Sequence, residues 1–175
     1  MAKWPKPALM ALVKDLYETS VDNRDFLHAR FQAEEDSGPA LEKYRRRIVD
    51  EFFTRRGLMG KLRLSEARKA IRDYRKATGN LAGKIELMLT YVENGTEFTQ
   101  QFGDIDEAFY GSLESVCNAV CNDMVALLLK EGTELHPRFR ERIQHLDDHA
   151  DRIGWGYGDN LRETVRSVEM ECSGQ

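Results

Sequence analysis

Long apolar runs and cysteine are both scarce in this 175-residue chain, and each scarcity removes a class of protein. No window approaches 18 uninterrupted apolar residues, so no membrane-spanning helix is expected. The three cysteines are too few, and odd in number, for a disulfide scaffold, which points to the reducing cytoplasm. The opening stretch MAKWPKPALMALVKDLYE has a short apolar run broken by Lys14 and Asp15 and lacks a small-residue cleavage site, so no signal peptide is expected. The alternation of apolar and polar residues that marks half-buried strands is absent too. No P-loop, nucleophile elbow or Cys/His pairing of known spacing occurs, which weighs against an enzyme.

What is present is 41% apolar and 32% charged residues, with a mean hydropathy of -0.57, as in a soluble globular chain. The length suits one core, so a single domain over 1–175 is expected, with 172–175 a frayed tail. Apolar residues recur at helical spacing almost throughout. They predict an all-α fold of about seven to eight helices in antiparallel hairpins, either an irregular bundle or a short array.

The first helix is expected from about Pro7 to Glu18, with Leu9, Leu12, Val13, Leu16 and Tyr17 on one side. Asp22 reads as the N-cap of a second helix carrying Phe26, Leu27 and Phe31. Pro39 opens a third, with Leu41, Tyr44, Ile48 and Phe52 in register and Gly57 as its stop. Ser65 caps a fourth, whose stripe is Ala67, Ala70, Ile71, Tyr74 and Ala77. A fifth carries Leu81, Ile85, Met88, Leu89 and Val92, stops at Asn94-Gly95, and folds back on the fourth. The longest stripe follows from Asp104, which with Glu107 resembles a capping box, and the helix from Asp104 to Lys130 is expected at the centre. A seventh opens at Pro137 with Phe139, Ile143 and Leu146. Gly154-Trp-Gly-Tyr-Gly158 then interrupts helix, with Trp155 and Tyr157 plugged into the core, before a last piece from Asp159.

Three segments, DNRDFLHARF at 22–31, the run from RKAIRDYRKATGN to ELMLTYVENGTEFTQQFGDIDEAFYGSLESV at 68–116, and IGWGYGD at 153–159, together resemble an uncharacterised family of small bacterial helical proteins. The resemblance implies a soluble helical protein and supplies no catalytic residue.

Charge is segregated along the chain. Residues 43–84 hold fourteen Lys or Arg against four acids, while 85–124 hold eight acids and no Lys or Arg, within a net charge of -4. Arg45, Arg46, Arg47, Arg68, Lys69, Arg72, Arg75 and Lys76 are the expected partner-binding surface. The leading expectation is a non-enzymatic interaction or scaffold protein that meets an acidic protein partner, or a second copy, through this surface. Phosphate of nucleic acid is the alternative ligand for the same residues. The acidic stretch also offers the cations partners within the chain.

A second alternative is metal. His145 and His149 stand i, i+4 on one helix, as Cys117 and Cys121 do on another, and four such ligands could close a structural zinc site if the helix edges met. Leu146 occupies the place where a hydrolytic zinc motif needs Glu, and no other cofactor is expected. The carboxylates Asp104, Asp106 and Glu107 fit dipole compensation at a helix start.

Overall fold

The helical periodicity resolves into eight helices: α1 (Lys6–Thr19), α2 (Val21–Gln32), α3 (Gly38–Phe52), α4 (Leu64–Thr78), α5 (Leu81–Phe102), α6 (Glu107–Glu131), α7 (Pro137–His149) and α8 (Tyr157–Ser173). The computed structural model describes residues 4–32, 38–131, 137–149 and 156–173. Among these the only extended pairing is one antiparallel bridge between Phe53 and Met59, so the chain is an all-α bundle. Trp155 and most of the glycine-rich turn before Tyr157 lie outside the described residues.

The best-read helix is α4, in which Ala67, Ala70, Ile71, Tyr74 and Ala77 are all buried. Small residues there let α3 approach, and Tyr44 of α3 meets the Tyr74 ring edge-on at 5.6 Å between centroids. Gly79 in the left-handed conformation stops the helix, donating its N–H to the Arg75 carbonyl. Ser65 is not the cap: the helix opens at Leu64, with Arg63 at the N-cap.

The centre of the bundle is α5 rather than α6. It buries thirteen of its 22 residues and packs against α3, α4, α6 and α7. The sequence hides this because the buried set includes Glu86, Thr90, Thr96 and Thr99, polar groups that dilute its apolar stripe. Each is satisfied internally, as burial demands. The Thr96 hydroxyl pairs with Tyr157 of α8 at 3.0 Å, and Thr99 pairs with Tyr110 of α6. By contrast α6 leaves Leu129 exposed, so the Leu127–Leu129 run is not covered all round.

Asn94-Gly95 does not end α5. The Asn94 side chain bonds back to the Thr90 carbonyl, and Gly95 is the crossing point with α6. A Cβ there would stand 2.3 Å from Leu113 Cδ2, so glycine permits a close helix approach instead of a turn. At the start of α6 the Phe109 N–H donates to Asp106 Oδ1 at 2.8 Å, while Asp104 accepts from the Tyr110 hydroxyl. The cap is therefore Asp106, two residues later than the capping box suggests. Gly158 lies inside α8, because the chain enters that helix at Tyr157, directly after Gly156 at φ +72°. Helix α8 is assigned to Ser173, and the rest of the expected tail, 174–175, lies outside the described residues.

Two departures concern the amino-terminal half. Helix α3 ends at Phe52 rather than Gly57, because the chain closes a tight turn in which Thr54 N–H donates to the Leu58 carbonyl and Gly60 N–H to the Phe52 carbonyl. Helix α2 starts at Val21, placing Asp22 in its first turn, and it buries Asp25 and Ala29 while Phe31 points to solvent. Helix α1 packs closely on α2 alone and buries no residue.

Candidate functional site

The fourteen cations of 43–84 divide into those the fold consumes and those it leaves. Asp22 of α2 sits between α3 and α4, taking Arg47 at 3.2 Å and Lys69 at 2.8 Å. The Lys69 hydrogen bond, aided by the Arg47 charge, holds the Asp22 carboxyl below its usual value near 3.8. Asp25, buried on the same helix, pairs with Lys43. Arg45 reaches Glu86 at 3.5 Å, and Arg45 and Arg46 both reach Glu42. Arg63 grips Glu51 with its guanidinium, and the same carboxylate accepts the Arg63 backbone N–H. Lys84 pairs with Asp123 at 2.6 Å, and Arg68 donates to the Ser115 hydroxyl at 3.3 Å.

Self-neutralisation is therefore real, yet among the described residues the acidic stretch supplies only Glu86 and Asp123 to it; α2 supplies Asp22 and Asp25. Glu93, and Glu86 a second time, are claimed elsewhere. Arg142 of α7 forks onto Glu93 at 2.5 and 2.6 Å, reaches Glu86 Oε2 at 2.7 Å and donates to Thr90 Oγ1 at 3.1 Å. This clamp fixes α7 on α5 through charge-assisted, bidentate hydrogen bonds.

Of the eight cations expected to bind a partner, Arg45, Arg46, Arg47 and Lys69 are thus paired inside the chain and Arg68 is held by Ser115. Arg72, Arg75 and Lys76 take no ion pair among the described residues. Arg75 also has a buried guanidinium nitrogen, Nη1, without an acceptor. Sequence reasoning passed over a second group, Arg55, Arg56 and Lys61, exposed on the α3–α4 turn and equally without ion pairs. Their signal was present in the charge count, but the two-glycine turn offered no helical face on which to place them. The two groups stand at opposite ends of α4, about 15–20 Å apart at 1.5 Å per residue. Asp50, Glu66 and Asp73 take no ion pair among the described residues, and against the fourteen cations of the stretch a positive excess remains.

The metal candidates do not converge. Cys117 and Cys121 line a largely apolar pocket between α5, α6, α7 and α8 with Leu89, Ile143 and Leu161. Burial pushes the Cys117 thiol up to about 12. Cys121 donates to the Thr164 carbonyl at 3.5 Å. His145 and His149 stack 4.1 Å apart on the outer side of α7, above a polar groove with Glu97 and Gln100, and His149 Nδ1 donates to the His145 carbonyl at 2.7 Å. Leu146, buried between them in sequence, separates the histidine face from the cysteine pocket. Among the described residues no three His, Cys, Asp or Glu side chains stand as a metal-ligand group.

Fold and surface together define a helical bundle with a partly self-neutralised cationic face. No family model, curated protein or solved structure matches this chain. Among the described residues no helix is long and apolar enough to cross a membrane.

Proposed function

We propose that this chain is a non-enzymatic interaction protein that holds an acidic protein partner through Arg72, Arg75 and Lys76 at the carboxyl end of α4. The observation that carries this is the exposed pair Arg72 and Lys76, with half-buried Arg75 beside them, all without an ion pair among the described residues in a molecule that pairs most of their neighbours with its own carboxylates. Arg72 and Lys76 are also i, i+4 like charges, which repel each other until an anion lies between them.

Fluorescence anisotropy with a labelled polyglutamate peptide tests the reading. Binding at low salt should weaken steeply as salt is added. It should be lost in Arg72→Ala/Arg75→Ala/Lys76→Ala and weakened less in Arg55→Ala/Arg56→Ala/Lys61→Ala. Absence of binding at low salt overturns the proposal. Stronger binding to duplex DNA, with a steeper salt slope, transfers the same cations to nucleic acid.

A further inference from the structure

The segment that joins α3 to α4 is a tight hairpin held in one shape. Thr54 to Gly57 close a β-turn in which the Gly57 N–H donates to the Thr54 carbonyl at 2.8 Å, with Gly57 left-handed at φ +69°. Arg55 and Arg56 therefore occupy the two central positions, at the tip. The return arm is tied down by the Thr54 N–H to the Leu58 carbonyl, the Leu58 N–H to the Thr54 hydroxyl and the Leu62 N–H to the Glu51 carbonyl. At the root, Phe53 packs on Phe98 at 5.8 Å between centroids, and the Gln101 side chain donates to the Gly57 carbonyl at 3.2 Å. A Cβ on Gly60 would stand 2.5 Å from the Glu51 carbonyl oxygen, and Leu62 holds φ +52°, which a bulky residue rarely adopts.

This fixed hairpin presents two apolar side chains among spare cations. Leu58 and Met59 are exposed by 62% and 53%, while Phe53 and Leu62 on either side of them pack into the core. Residues 52–65 hold four cations and no acid. Glu51 neutralises Arg63, which leaves Arg55, Arg56 and Lys61 exposed and without an ion pair among the described residues. Such a tip suits surroundings that are anionic and apolar at once. A phosphate backbone or an acidic peptide repays the cations but leaves Leu58 and Met59 in water. A bilayer with anionic lipid repays both, because its phosphates lie directly above hydrocarbon.

We propose that the α3–α4 hairpin docks the bundle on an anionic phospholipid surface. Leu58 and Met59 enter the boundary between headgroups and acyl chains, and Arg55, Arg56 and Lys61 stay at the level of the phosphates. Neither signal suffices alone, since two side chains bury little area and each cation near a phosphatidylserine surface strengthens binding only about fivefold. The fixed backbone helps, because no loop has to be ordered on contact. The contact is peripheral and reversible. It is separate from the cations at the far end of α4, which stand about 15–20 Å away, or about two Debye lengths.

Co-sedimentation of the full chain with vesicles tests it. Binding is expected to vesicles of about 70% phosphatidylcholine and about 30% phosphatidylserine, weakening as salt rises, and not to phosphatidylcholine alone. Arg55→Ala/Arg56→Ala/Lys61→Ala should weaken it about a hundredfold, as three steps of about fivefold. Leu58→Ser/Met59→Ser should weaken it about tenfold and leave the salt dependence in place, since it removes insertion and no charge. Both variants should melt with the parent chain, because all five side chains are exposed. Arg72→Ala/Arg75→Ala/Lys76→Ala should leave vesicle binding within about twofold. Absence of binding to the anionic vesicles, equal binding to phosphatidylcholine alone, or binding that survives either hairpin variant overturns the proposal. A loss from the α4 variant as large as that from the hairpin variants overturns the hairpin as the contact. Tighter binding to duplex DNA or polyglutamate at the same salt, indifferent to Leu58→Ser/Met59→Ser, also overturns it and gives the cations to nucleic acid or an acidic protein.

Discussion

Gly95 has the role of a packing residue although its sequence context, Asn-Gly, is that of a turn. Gly95→Ala should cost about 1–3 kcal/mol through overpacking against Leu113, seen as a Tm lower by about 3–10 °C. An unchanged Tm would show that the α5–α6 crossing has slack. Arg142 is a second residue whose role depends on distant partners. With its guanidinium removed, the mostly buried Glu86 and Glu93 carboxylates, two turns apart on α5, lose the cation they share from α7, and Arg142→Ala should cost about 2–3 kcal/mol in urea unfolding. Arg142→Lys should recover little of that, since an ammonium cannot reproduce the planar fork. Cys117 gives a chemical readout of burial. Iodoacetamide at mildly alkaline pH should alkylate it only after unfolding, as mass spectrometry of the peptide would show, and native labelling at the rate of a free thiol would contradict the closed pocket.

At the level of elements, the amino-terminal helices are the ones the core holds least. Helix α2 is attached by Ala29 and Phe26, which pack into the core, and by two carboxylates, Asp22 and Asp25, which reach α3 and α4. Because the folded Asp22 pKa is depressed, its contribution is complete above the unfolded value near 3.8 and is lost as pH falls through the lower folded value. Asp22→Asn should therefore lower Tm slightly at neutral pH, the effect being small because the pair is half exposed, and the gap to the parent chain should close below about pH 4. A gap that stays constant into acid would mean that Asp22 acts through something other than its charge. Helix α1 is the clearest case of amphipathicity without a core to receive it. Its stripe was legible from spacing alone, but spacing identifies a face that wants covering and is silent about whether the same chain covers it.

Across the whole molecule, the net charge of -4 conceals a layered arrangement of attraction. Cations of α3 and α4 are drawn to α2, one reaches Glu86 of α5, and α5 gives Glu93, and Glu86 a second time, to Arg142 of α7, so charge ties the bundle at seams between helices. What is left over collects at the two ends of α4. Periodicity alone determined where most helices lie and which residues of α3, α4 and α7 turn inward. Tyr44, Ile48 and Phe52, the five-residue stripe of α4, and Phe139, Ile143 and Leu146 are all buried, because a helix fixes its own faces every 3.6 residues. Only the tertiary structure decided that α5 is central, that Gly95 is a crossing, that Cys117 and His145 face apart, that α1 stays open and that Arg72, Arg75 and Lys76 are spare. Each of these turns on pairings between residues far apart in the chain, such as Arg142 with Glu86 across 56 positions, and local spacing carries no information about which distant face arrives.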